Sequence, residues 1–189
     1  MGVVAAITAR NSPLLLLTSK LAPGLAAGNT FVVKPSEYAS ASTVAFAELF
    51  GEAGFPASVV NVVCGTGQHV GAPLVAHPDV AKIAFTGSDA AGKAINKAAA
   101  GELKHVTLEL GGKSPNIVFE GADLEAAAAG VASGIFAAAG QTCIAGSRLL
   151  LQRSIYDTFL SKVRAMAEGV KVGNPLDPET GPAREPPPL

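Results

Sequence analysis

Short apolar runs rich in β-branched residues alternate with longer Ala- and Leu-rich stretches through the first part of the chain. The runs "VVAAITA" from Val3, "FVVK" from Phe31, "VVNVV" from Val59, "KIAFT" from Lys82 and "HVTLEL" from His105 predict strands. Polar residues seldom alternate within them, which predicts strands covered on both faces. Between them, residues 13–27, 40–53, 69–76 and 88–99 predict helices. Ser12-Pro13 offers an N-cap and a first-turn proline, and Gly28-Asn29 a C-terminal stop. "EAGFP" ends the second helix in the same way. Strands and helices in strict alternation, joined by short loops, predict a parallel sheet with right-handed crossovers. The expectation is an α/β fold: a Rossmann-like, doubly wound domain over residues 1–110.

The pattern changes after Leu110. "GGKSP" reads as a loop, "NIVFE" as a strand, and residues 123–138 as a small-residue helix whose first turn carries Asp123 and Glu125, where carboxylates suit the helix dipole. A loop holding Cys143, a strand "SRLLLQ" and an amphipathic helix from about Ser154 to Glu168 follow. Residues 111–180 therefore look like the start of a second α/β domain, and residues 181–189 like an irregular tail.

Composition narrows the function classes. Of 189 residues, 49% are apolar and 15% charged, which supports a packed core and argues against disorder. The 14 basic and 15 acidic residues are interspersed without a basic stripe, so neither nucleic acid nor an anionic membrane is expected as a partner. Cys64 and Cys143 lie far apart, and His69, His77 and His105 are scattered; no metal site is expected. Two isolated cysteines suit a reduced, cytoplasmic protein. The start "MGVVAAITAR" lacks the basic segment and long apolar core of a signal peptide, and Ala6 stands where a myristoylation signal has Ser or Thr.

Three short motifs carry candidate chemistry. In "GQTCIAGSR" the thiol of Cys143 sits among small and polar residues at a helix end. A packing cysteine usually lies among large apolar residues, and a reactive one needs partial exposure and a way to hold the thiolate; the motif alone leaves both readings open. "FTGSDAAGKA" contains G-x-x-x-x-G-K, but Ala94 replaces the hydroxyl residue that a nucleotide triphosphatase uses on magnesium. Gly87 and Ser88, at the start of a helix, would still offer N–H groups and a positive dipole end to a pyrophosphate; a plain strand-to-helix turn is the alternative. In "VVKPSE", Lys34 leaves a strand and Glu37 follows a proline turn. A carboxylate at a strand's carboxyl end can take both hydroxyls of an adenosine ribose and repels a 2′-phosphate, favouring NAD over NADP. Exposed turn charges are the alternative.

Taken together, "NSP" from Asn11, "KPSE" from Lys34, "FTGS" from Phe85, "LELGGKSP" from Leu108 and "GQTC" from Gly140 resemble the aldehyde dehydrogenase superfamily, in its order and spacing up to about Thr180. Closeness is to the NAD(P)-dependent, hydrolytic type. The resemblance implies an enzyme that oxidises an aldehyde to a carboxylic acid. Cys143 matches the nucleophile that forms a thiohemiacetal and then a thioester. Asn11 matches the amide that, with the Cys143 N–H, stabilises the oxyanion, a contribution of about 3–4 kcal/mol. Glu109 matches the base that activates the hydrolytic water, and its apolar strand is expected to raise its pKa. Lys20 matches a proton-relay lysine. Lys34, Pro35, Ser36 and Glu37 match the adenosine-ribose contacts, and Gly87 and Ser88 the pyrophosphate loop. Leu110, Gly111 and Gly112 match the segment beside the nicotinamide, where a side chain would block close approach. Cys64 matches no catalytic position and is expected to be packed or idle.

The sequence also departs from the family pattern. Arg10 and Ser19 stand where many relatives have Trp, and Arg10 suits an aldehyde that carries a carboxylate. Family members are more than twice this length and form homo-oligomers, so a second reading is a truncated, non-catalytic chain that acts at most as a weak NAD-binding or interaction module. Low or absent activity is expected of the isolated chain.

Overall fold

The computed structural model describes residues 2–174, 176–177 and 180. The expected tail at 181–189 lies outside the described residues. The chain divides between Gly111 and Gly112 into two compact units.

In the first unit, strands β1 (Val3–Ile7), β2 (Thr30–Lys34), β3 (Val60–Val62), β4 (Val80–Thr86) and β5 (His105–Glu109) form one sheet in the order β3-β2-β1-β4-β5. Every pairing is parallel. Helices α1 (Pro13–Ala26) and α2 (Ser40–Glu52) follow β1 and β2, and α3 (Ala72–Ala76) and α4 (Asp89–Ala100) follow β3 and β4. Two cores result. Val4, Ala6, Phe31 and Val33 bury one face of the sheet under Leu17 and Leu21 of α1 and Phe46 and Phe50 of α2. Ala5, Ile7, Ile83 and Phe85 bury the other under Val75 of α3 and Ile95 and Ala99 of α4. An α-carbon substituent on Gly24 would come within 2.3 Å of the Phe31 ring, so glycine there lets α1 lie close on β2.

The termini explain several boundaries. Gly28, with φ of 75°, donates to the Leu25 carbonyl at 2.9 Å while the Asn29 N–H reaches Gly24 at 3.1 Å, the paired bonds that close a helix with glycine past its end. The buried Asn29 side chain also donates to Gly24 and accepts from Gly2, so the stop doubles as a clasp on β1. Ser12 does not cap α1 as expected. It lies in the left-handed region at φ 45° and makes no side-chain cap bond, leaving Pro13 as the effective start signal. The helix expected over residues 69–76 is in fact a π-type turn, Gly67–Gly71, leading into the shorter α3.

Coverage on both faces holds for β1 and most of β4 but not for the edges. Along β5, His105, Thr107 and Glu109 are exposed while Val106 and Leu108 turn inward. The run "HVTLEL", expected to be covered on both faces, is half-covered: its polar residues His105, Thr107 and Glu109 take the exposed face of the strand that ends the sheet.

In the second unit, β6 (Pro115–Val118) and β7 (Arg148–Leu151) pair in parallel. Helices α5 (Leu124–Phe136) and α6 (Tyr156–Glu168) cover one face of the pair, with Val118, Val131, Ile155 and Phe159 buried. Phe159 is fully buried, and its truncation to Ala would cost about 3–5 kcal/mol. Asp123 caps α5, its carboxylate accepting from the N–H groups of Glu125 and Ala126. An ion pair from Lys162 to Glu125 ties α6 to the same turn. A 3-10 turn, Arg153–Ile155, occupies the expected first turn of α6. On the opposite face Ile117 and Leu150, directly paired across the strands, are both exposed.

Candidate active site

The order β3-β2-β1-β4-β5 reverses direction between β1 and β4, and in open parallel sheets the ligand crevice lies at the carboxyl ends of the strands on either side of such a reversal. A cavity of about 230 Å³ opens there. Ile7 and Phe85 form its floor at the ends of β1 and β4, Gly71 and Val75 one wall, and Ala91 and Ile95 of α4 the other. Gly71 is buried and helical, yet beyond its own turn of backbone no atom lies within 4 Å of where its side chain would begin. A methyl group there would enter the cavity. Sequence reasoning missed this feature, since its lining comes from scattered small residues; the spacing of Gly67 and Gly71 was the available signal.

One strand over, Lys34 is 3% exposed at the end of β2 and donates to Glu37 Oε2 at 3.1 Å. The alternative of two exposed turn charges therefore fails for the lysine. Pro35 is buried between them, and Ser36 accepts from the Tyr38 N–H at 3.4 Å. The Glu37 carboxyl is held below its ordinary 4.5, first by its own backbone N–H and, against an opposing effect of burial, by the Lys34 ammonium.

The glycine turn after β4 differs from expectation. The Gly87 N–H is not available to a ligand, because it donates to the Glu109 carbonyl at 3.1 Å. A side chain on Gly87 would meet the Phe85 ring at 2.4 Å, so this glycine serves packing as well. Ser88 caps α4, its hydroxyl accepting from Ala91 at 3.3 Å. Gly111 donates to the Asp89 carboxylate at 3.2 Å, which fixes the strand end beyond Leu110 against the first turn of α4. Leu110 packs on Gly92, where a methyl group would lie 2.7 Å from it.

On the α1 side of the sheet, Lys20 donates to the Thr86 hydroxyl at 2.6 Å. Thr86 faces Glu109 across the β4–β5 register. Burial lowers the Lys20 pKa below its ordinary 10.5, and the Glu109 carboxylate opposes that shift. Glu109 itself is exposed on the edge strand, so the apolar enclosure expected around it is absent from this unit. Asn11 and Arg10 are half-buried in the loop between β1 and α1.

In the second unit, α5 stops at Phe136 instead of running to residue 138. Ala138, Ala139 and Gly140 all take positive φ, at 50°, 54° and 72°. This left-handed turn leads to Cys143, half-buried in a tight turn closed by an Ala145-to-Thr142 bond of 3.1 Å. Gly112 passes so close that an added methyl group would lie 2.8 Å from the Cys143 carbonyl oxygen. Its lack of a side chain is thus required by the chain itself. Cys64, in the first unit after β3, is exposed, so of the two expectations for it, packed or idle, the first fails. Among the described residues no three His, Cys, Asp or Glu side chains gather as a metal site.

A family model described as the aldehyde dehydrogenase family matches residues 1–184. An aldehyde dehydrogenase of Emericella nidulans is 49% identical over 181 residues, covering 95% of this chain and 36% of that protein. The crystal structure of PnpE from Pseudomonas sp. WBC-3 superimposes with a TM-score of 0.91 at 53% identity, over 95% of this chain and 37% of that one. A structure of PnpE in complex with nicotinamide adenine dinucleotide gives 0.90 at the same identity and coverage. The chain thus spans little more than a third of the length of these relatives.

Proposed function

The chain belongs to the aldehyde dehydrogenase family, and we propose that it carries out that chemistry: oxidation of a small aldehyde to a carboxylic acid, with NAD as hydride acceptor. The observation that carries the proposal is the setting of Cys143, a half-buried thiol held in a tight turn by a left-handed segment and a glycine close approach.

The residues present fit NAD. The cavity at the strand reversal is lined by apolar and small residues, as a purine requires, and Gly71 keeps it open. Lys34 and Glu37, paired at the end of β2, are suited to the adenosine ribose, the carboxylate accepting from two hydroxyls. The capped start of α4, with Ser88 and its dipole, suits the pyrophosphate. Bound NAD would supply a two-electron acceptor for hydride.

The chain's own groups divide the remaining work. Cys143, as thiolate, adds to the aldehyde carbon and makes a C–S bond while the carbonyl oxygen becomes an oxyanion. The Asn11 amide donates to that oxygen. Loss of hydride from the same carbon re-forms the carbonyl and leaves a thioester on Cys143. Glu109 takes a proton from water, which attacks the thioester and expels the Cys143 sulfur, so the product is a carboxylic acid. Lys20 passes that proton on in this reading, which its hydrogen bond to Thr86, the residue paired with Glu109, supports. Arg10 favours an aldehyde that bears a carboxylate, and Arg10→Trp would lower the ratio of semialdehyde to neutral-aldehyde turnover; an unchanged ratio removes that assignment. A cytoplasmic location and homo-oligomerisation complete the reading. No helix among the described residues is long and apolar enough to cross a membrane.

A second reading, NAD binding without turnover, is favoured by one observation. The two-stranded sheet of the second unit leaves Ile117 and Leu150 uncovered, an incomplete layer for parallel strands. NADH formation from aldehyde, lost in Cys143→Ser and kept in Cys64→Ser, supports the enzyme. NAD binding with no NADH from any aldehyde tested supports the module.

A further inference from the structure

We infer that Lys104 is a positioning residue for the cofactor site: its ammonium locks the end of α3 to the end of α4 and so sets the width of the cavity between them. The inference rests on reading that cavity as the adenosine end of a NAD site. Lys104 Nζ donates to the Val75 carbonyl at 2.9 Å and to the His77 carbonyl at 2.6 Å. Val75 lies in the last turn of α3, where helical acceptors lack an intrahelical donor and the dipole favours a cation. His77 is the extended residue that caps the helix, its carbonyl also accepting from the Val80 N–H at 3.1 Å. Val75 is 2% exposed and lines the cavity, so the residue that accepts from Lys104 is itself part of the wall.

The other end of the clamp belongs to α4. The Lys104 N–H donates to the Ala99 carbonyl at 3.2 Å, which also accepts from Glu102. Leu103, with φ of 50° and 89% exposed, turns the chain through the left-handed region that favours glycine. Its side chain gains nothing from that turn; the turn brings Lys104 back toward α3. α3 has only five residues, too few to hold its own geometry, whereas α4 is a full three turns. Lys104 transfers the rigidity of the long helix to the short one, beside a cavity whose two walls include those helices.

Calorimetric titration of the whole chain with NAD, AMP and nicotinamide mononucleotide tests this. Lys104→Met keeps the aliphatic stem and removes the donors; it should weaken AMP and NAD about three- to tenfold and leave the mononucleotide unchanged, with Lys104→Arg restoring most of the loss. A lysine serving stability alone would lower the thermal midpoint and leave the affinity of the folded chain intact, which overturns the inference. If the Met variant does not fold, amide exchange in the unaltered chain decides: AMP should slow exchange at residues 75–77 and 102–104 together, and no change there contradicts the clamp. An unaltered chain that binds neither NAD nor AMP sinks the cofactor reading of the cavity itself, a result distinct from equal binding by parent and Met variant.

Discussion

Lys20 on α1 reaches Thr86 at the end of β4 with a 2.6 Å hydrogen bond, joining residues 66 apart in sequence beside the Glu109 carboxylate. Half-burial makes the charged form of Lys20 costly, and Glu109 returns only part of that cost. The folded chain therefore releases this proton at lower pH than the unfolded chain, whose lysine titrates near 10.5. The group's stability contribution is absent at neutral pH and grows as pH rises from the lowered value toward 10.5. Urea unfolding at neutral and alkaline pH should show the parent gaining stability relative to Lys20→Met as pH rises. A constant difference across that range would remove the burial argument.

Glu37 has the opposite sign. Its carboxyl titrates below 4.5 in the folded chain, so its contribution is present above that value and is lost as pH falls through the lowered one. Glu37→Gln leaves the buried Lys34 ammonium with a neutral partner. Because Glu37 is 40% exposed, the cost at neutral pH is discounted from that of a fully buried pair to about 1 kcal/mol. Parent and variant should converge in stability at strongly acid pH.

Gly71 separates fold from function. It is helical and buried with open space where a side chain would start. Gly71→Ala should raise stability by about 0.5–1 kcal/mol through helix propensity while weakening NAD, as thermal melts and titration on the same sample would show. Stabilisation with unchanged NAD affinity would place the purine elsewhere.

Gly112→Ala drives a methyl group to 2.8 Å from the Cys143 carbonyl. The expected cost is about 1–3 kcal/mol, with a changed rate of iodoacetamide reaction at Cys143 and none at the exposed Cys64. Equal changes at both thiols would mean general loosening, not a local displacement.

The sheet and most helices were legible because β-branched runs and the Gly28-Asn29 stop act locally. What the sequence hid depends on neighbours. Residues 137–139 are three alanines, the best helix formers, yet Ala138 and Ala139 are left-handed; the turn toward Cys143 overrides propensity. Ser12 has the chemistry of a cap but not the backbone geometry. Glu109 is not enclosed as expected: His105, Thr107 and Glu109 alternate with Val106 and Leu108, the period of a half-covered strand, and the strand is the last of the sheet. Gly87 was read as a donor for phosphate, whereas β5 had already claimed its N–H. Of the site, the motif residues were visible one by one; the cavity, built from Ile7, Gly71, Val75 and α4, needed the fold.

Equilibrium binding of NAD and NADP to the whole chain tests the central claim most directly. The account predicts one NAD per chain, with NADP weaker by about tenfold or more because a 2′-phosphate meets the Glu37 carboxylate, and a narrower gap in Glu37→Gln. No NAD binding, or NADP bound as tightly as NAD by the parent, would contradict it.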